Sequence, residues 1–173
     1  MKTTFAAAMS ATFLAIPAVA EEPQVQSPSP IIYLADNLDE VDGLGWCIDT
    51  LGRGFSEQIQ AHSCKPQGGD TQFRYDTDTG ALQSVEFDGK CMTLSAPESD
   101  TVPFGLLDCE PGTDSQSFEY DALSKEFRLT TDPSQCVVVA EDSRTAGPFM
   151  SRDLTVKPCA TVDASLKRWV IRN

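Results

Sequence analysis

Six cysteines set at a regular interval constrain this chain more than any other feature. Cys47, Cys91 and Cys136 are spaced 44 and 45 residues apart, and Cys64, Cys109 and Cys159 are spaced 45 and 50. An aromatic residue follows each second cysteine after nine or ten positions: Phe73, Phe118 and Trp169. Six cysteines can pair in many ways. A threefold repeat favours the pairing in which each unit owns one bridge: Cys47–Cys64, Cys91–Cys109 and Cys136–Cys159. The segments between the units repeat too. Phe73-Arg74-Tyr75-Asp76 and Phe118-Glu119-Tyr120-Asp121 are offset by 45 residues, and Leu82 and Phe127 share that offset.

The rest of the pattern reads as all-β. Short apolar runs bounded by Gly, Pro, Asp and Ser recur, and no stretch after the first twenty residues holds a helical period over three turns. The segment Asp163 to Arg168 is too short for a helix of that kind. Asp78-Thr79-Gly80 has hairpin chemistry, because glycine adopts positive φ without a steric penalty. Units of about 45 residues cannot each bury a core, so three must share one, around a pseudo-threefold axis. Phe73, Phe118 and Trp169 are expected to point inward, and Ile31-Ile32-Tyr33-Leu34 to pair near Trp169-Val170-Ile171. That outline is a β-trefoil with three disulfides within repeats; a sandwich of short strands is the alternative.

Residues 1–20 read as a signal peptide. Lys2 precedes an apolar run from Phe5 to Ile16, and Ala18-Val19-Ala20 has the small-x-small form that a signal peptidase cuts. A transmembrane anchor is the alternative there, but the run is short for a span, and no later segment is long and apolar enough. The reading places the chain outside the cytoplasm, secreted or periplasmic, where an even cysteine count means disulfides. Residues 21–30, EEPQVQSPSP, read as a flexible or extended Pro/Ser linker, and the domain as residues 31–173.

Charge narrows the partners. There are 26 acidic and 13 basic residues, a formal net charge of −13; losing Lys2 with the leader makes it −14 (12 basic, 26 acidic). Such a surface repels nucleic-acid phosphates and anionic lipid. One histidine excludes a multi-histidine metal centre, and no cofactor is implied. Asp76-Thr77-Asp78-Thr79-Gly80 begins like a calcium loop but lacks the later acidic ligand. The acidic cluster Asp39, Glu40 and Asp42 reads as a solvated loop.

The repeated unit of two cysteines followed by Gln-x-Trp/Phe resembles the ricin-type β-trefoil lectin family over residues 31–173. Gln116-Ser117-Phe118 keeps the glutamine, while Thr71-Gln72-Phe73 and Lys167-Arg168-Trp169 are degenerate. The resemblance implies a sugar site in any repeat that has Asp two residues after its first cysteine. It also needs Gln and an aromatic just before the second cysteine, and Asn before the Gln-x-Trp. Only the first repeat comes near, with Asp49, Gln60, His62 in the ring position, and Asp70 where Asn is usual. The second repeat has Thr93, Gly105 and Leu107, and the third has Val138, Thr155 and Lys157. Carboxylates accept charge-assisted bonds from vicinal hydroxyls, and a flat side chain packs on the apolar face of a pyranose. The implied function is a non-catalytic carbohydrate-binding domain. It takes a glycan or glycoconjugate with a galactose- or N-acetylgalactosamine-type sugar, bound weakly and without metal by Asp49, Gln60, His62 and Asp70. The alternative is a sugar-silent trefoil acting through a protein partner, as a toxin-accessory or interaction subunit. No nucleophile with a base, no spare cysteine and no Gly-x-Ser-x-Gly favours catalysis.

Overall fold

A computed structural model describes residues 21–173; the expected signal peptide lies outside the described residues. Among the described residues, fourteen short strands fall into three groups. The first repeat contributes β1 (Ile31–Leu34), β2 (Trp46–Thr50), β3 (Ile59–Ser63) and β4 (Phe73–Tyr75). The second contributes β5 (Leu82–Ser84), β6 (Lys90–Leu94), β7 (Phe104–Asp108) and β8 (Phe118–Asp121). The third contributes β9 (Glu126–Leu129), β10 (Gln135–Val139), β13 (Leu154–Pro158) and β14 (Trp169–Arg172), plus an inserted pair, β11 (Arg144–Ala146) and β12 (Phe149–Arg152). The fold is all-β, with no α-helix among the described residues, and no helix there is long and apolar enough to cross a membrane.

Three antiparallel seams join neighbouring repeats: β4 with β5, β8 with β9, and β14 with β1. The last closes the chain on itself, Leu34 opposite Trp169 and Ile31 opposite Arg172, as the apolar ends of the sequence predict. Three longer hairpins, β2–β3, β6–β7 and β10–β13, carry the bridges Cys47–Cys64, Cys91–Cys109 and Cys136–Cys159. Their sequence separations of 17, 18 and 23 residues correspond to about 3 kcal/mol each in the chain-entropy account. Phe73, Phe118 and Trp169 are at most 1% exposed and share one core with Trp46, Leu82, Phe104, Phe127 and Leu154.

The pseudo-symmetry reaches into hydrogen bonds. Tyr75 Oη donates to the Phe118 carbonyl and Tyr120 Oη to that of Trp169, both at 2.9 Å. Gly80 and Lys125, at the same offset of 45, both have positive φ (76° and 61°), and their carbonyls accept from Phe118 N and Trp169 N. Gly80 is required where it stands, because a Cβ there would lie 2.8 Å from the Phe118 carbonyl oxygen. A one-turn 3₁₀ segment precedes each inward aromatic: Gly69–Thr71, Asp114–Gln116 and Ala164–Leu166.

Each repeat ties this turn to the end of its hairpin by different means. In the second, Gln116 Nε2 donates to the Asp108 carbonyl and its Oε1 accepts from Glu110 N, both at 2.8 Å. In the third, Lys167 Nζ reaches the Cys159 carbonyl. In the first, Thr71 is too short to do so, and Ser27 fills the gap: its Oγ donates to the Lys65 carbonyl and lies 3.2 Å from Thr71 Oγ1. This corrects the expectation of a linker over residues 21–30. The segment is extended, but Pro23 and Ser27 are buried, and Gln26 N and Ser27 N both donate to the Cys64 carbonyl. The acidic cluster is corrected as well. Glu40 Oε2 lies 3.4 Å from the buried Arg152 guanidinium, and Asp42 accepts from Ser63 Oγ.

Candidate functional site

Register places the expected residues on one hairpin. Cys47 lies opposite His62 and Asp49 opposite Gln60. The same register sets Cys91 against Leu107 and Thr93 against Gly105, and Cys136 against Lys157 and Val138 against Thr155. Side chains two residues apart on a strand share a face, so Asp49 shares a face with Cys47, and Gln60 with His62. Asp70 arrives from the 3₁₀ segment Gly69–Thr71.

Lys65, the residue after Cys64, organises this group. Its Nζ lies 3.1 Å from Asp49 Oδ2 and 2.7 Å from Asp70 Oδ1. Asp49 is fully buried, its Oδ1 has no hydrogen-bond partner, and burial pushes its carboxyl up to about 7 against the attraction of Lys65. Burial works to lower the Lys65 ammonium, and Asp49 and Asp70 more than offset it, holding its pKa above the usual lysine value. His62 Nδ1 is 3.0 Å from the Ser63 carbonyl. A carbonyl only accepts, so Nδ1 carries the proton and Nε2 is left as an acceptor. Burial depresses the pKa of His62, which keeps the ring neutral near pH 7.

The remaining wall comes from the third repeat. β12 pairs antiparallel with β3, Ser151 opposite His62 and Arg152 opposite Ala61, which folds the β11–β12 hairpin over the first-repeat site. Phe149 meets His62 edge-on with ring centroids 5.8 Å apart. Arg144 Nη2 donates to Gln60 Oε1 at 3.3 Å and Nη1 to Asp153 Oδ1 at 2.6 Å. The Gln60 amide is held at its other end by Nε2 donating to the Thr50 carbonyl at 3.2 Å. Between hairpin and repeat lies a cavity of about 660 Å³, lined by Gln60, His62, Lys65, Asp70, Arg144 and Phe149 among others. Asp49 does not line it; the carboxylate sits behind Lys65. In the second repeat a cleft of about 50 Å³ lies beside Cys91, Cys109 and Gln116, and neither Gly105 nor Leu107 lines it. A larger open groove of about 950 Å³, near Asp36, Lys125 and Arg168, holds none of the four expected residues.

Gln60, His62 and Asp70 are therefore brought together at one cavity, with Asp49 one layer behind. Sequence reasoning missed Lys65, Arg144 and Phe149. The one sign of the last two was the spacing of 50 rather than 45 before Cys159, which marks where the third repeat carries extra chain.

The hairpin register and the three intra-repeat bridges define a β-trefoil, and comparison with known proteins gives its family. Residues 38–171 match the ricin-type beta-trefoil lectin domain, and the chain belongs to that family. Among curated proteins, none matches this chain in sequence. Among solved structures, the earthworm R-type lectin C-half in complex with GalNAc has a TM-score of 0.58 at 13% identity, over 83% of this chain and 98% of that one. The Vibrio vulnificus hemolysin/cytolysin beta-trefoil lectin with N-acetyl-D-lactosamine bound gives 0.55 at 12%, over 82% and 91%. The mdaA-1 domain gives 0.58 at 14%, over 92% and 96%. At these identities the likeness is one of fold.

Proposed function

We propose that this chain is an exported, non-catalytic carbohydrate-binding domain with one glycan site, the cavity between the first repeat and the β11–β12 hairpin, taking a galactose- or N-acetylgalactosamine-type sugar. The observation that carries the reading is the coincidence of that cavity with Gln60, His62 and Asp70, the residues that the family pattern singles out. In this reading Asp70 and Gln60 meet hydroxyls, and His62 and Phe149 supply flat surface. Asp49 acts through Lys65, which it holds in place. All six cysteines are bridged, which suits an oxidising compartment. A shallow site of this kind binds in the millimolar range, about −4 kcal/mol.

Ligand-observed NMR with galactose and lactose on the purified chain tests it, with Asp70→Ala as the site variant. Binding that Asp70→Ala abolishes supports the reading; binding that survives unchanged removes the site from this cavity. A second reading, a sugar-silent trefoil that binds a protein partner, is favoured by one observation: Lys65 already occupies one oxygen of Asp49 and one of Asp70, as a ligand hydroxyl would. A glycan array with no positive feature, on a chain whose disulfides are intact, selects that reading.

A further inference from the structure

The hydrogen-bonding groups at this cavity are unevenly spent. Asp70 Oδ1 is taken by Lys65, and the Gln60 amide bonds at both ends. The acceptors left over are the second Asp70 oxygen, His62 Nε2 and the remaining lone pair of Gln60 Oε1. Donors are more plentiful, and they are cationic. Lys65 uses two carboxylates and keeps a further N–H. Arg144 spends one N–H on Asp153 and one on Gln60 and keeps the rest of its fork. Arg53, exposed on the rim, makes no ion pair or side-chain hydrogen bond among the described residues.

Charge points the same way. The chain as a whole has two acids for every base, 26 against 13. The lining of this cavity reverses that: Arg53, Lys65 and Arg144 stand against the single carboxylate of Asp70. The carboxylates that pair with these cations, Asp49 and Asp153, lie outside the lining. On a chain with a large net negative charge, this concave place thus presents cationic donors in excess of acceptors. A neutral pyranose, whose hydroxyls each donate one and accept up to two hydrogen bonds, can meet those donors but brings no charge to match theirs; an anionic oxygen group does.

We infer that the ligand of this cavity is an anionic saccharide, a galactose-type ring bearing a carboxylate or a sulfate ester, with the anion held by Arg53, Lys65 and Arg144 and the ring packed on Phe149 of the third-repeat hairpin. This rests on the glycan-binding reading above and names its ligand class. It also gives the inserted hairpin a purpose: it supplies Arg144 and Phe149, and the first repeat alone has neither.

Calorimetry on the full chain at pH 7.5 with three probes that share a ring, methyl galactoside, methyl galacturonide and methyl galactoside 6-sulfate, tests the inference. At low salt the anionic probes bind about tenfold or more tighter than the neutral one. That advantage shrinks as salt screens the rim charges, since the screening length falls to about 3 Å at 1 M. Arg53→Ala, an exposed position whose loss does not threaten the fold, lowers the anionic-to-neutral ratio. An advantage for only one of the two anions supports the inference and identifies the source of the charge. Equal affinity for all three probes overturns the inference and leaves the glycan reading standing; binding of none overturns both.

Discussion

The β2–β3 hairpin of the first repeat and the β6–β7 hairpin of the second have the same register, the same bridge and the same 3₁₀ turn behind them. Yet one borders a cavity of about 660 Å³ and the other a cleft of about 50 Å³. In the second repeat a single neutral side chain ties the buried polar groups together. Gln116 bonds Thr93 Oγ1 at 2.9 Å, the Asp108 carbonyl and Glu110 N, so the polar groups there are spent on one another. In the first repeat Asp49 stands where Thr93 does. A buried carboxylate needs a counter-charge, Lys65 supplies it, and Asp70 shares the ammonium. Backbone symmetry therefore sets where a site can exist, and a few side chains decide whether it is closed internally or left open.

The largest effect expected is on that ionic group. Lys65→Ala leaves the fully buried Asp49 and the largely buried Asp70 without their cation, and should cost about 3–5 kcal/mol at pH 8. Glu110→Ala at the matching, exposed position of the second repeat should change stability by less than about 0.5 kcal/mol. Thermal unfolding of both variants measures the contrast, and a Lys65→Ala loss under about 1 kcal/mol would erase it.

Next comes pH. The Asp49 carboxyl ordinarily titrates near 3.8 and is raised to about 7 in the folded chain. Between those values the folded state holds a proton that the unfolded state has released. The stability owed to this group is thus fully present below pH 3.8 and lost as pH rises through 7. The lowered pKa of His62 acts in the opposite sense, so parent and Asp49→Asn should be compared pH by pH. The parent's stability relative to the variant should fall by on the order of 3–4 kcal/mol between pH 4 and pH 8. A flat difference would mean that Asp49 is ionised throughout.

Smaller still is the share of the inserted hairpin in binding. Phe149→Ala removes a ring against which a sugar face would pack, worth about 0.5–1.5 kcal/mol. Glycan affinity should drop by that amount with little change in melting temperature, because Phe149 is only half-buried. Unchanged affinity on titration would take the hairpin out of the site. The least effect is predicted for Thr93→Ala. It loses one bond to Gln116, about 1 kcal/mol of stability, and glycan binding should not move; a change in binding there would make the second repeat a site.

What the sequence alone determined is whatever recurs with the repeat. The three bridges, the inward Phe73, Phe118 and Trp169, and the pairing of Ile31–Leu34 with Trp169–Arg172 all follow from spacing and local alternation, because a threefold core must be filled in the same way three times. The grouping of Asp49 with Gln60 was legible through the family pattern, and the strand register sets them opposite each other. Contacts that break the symmetry were decided by the tertiary structure. Asp49 reads in sequence as an exposed acceptor, and packing buried it behind Lys65. Residues 21–30 read as a tether, and Ser27 was drawn in because Thr71 cannot span the gap that Gln116 spans. Arg144 reaches Gln60 across 84 residues of chain, and it does so only because β12 adds to the edge of β3. An edge strand offers unpaired backbone groups to any strand brought alongside, and no local pattern in either segment says which strand that is. The repeat wrote the scaffold, and the pairing of that one edge built the cavity.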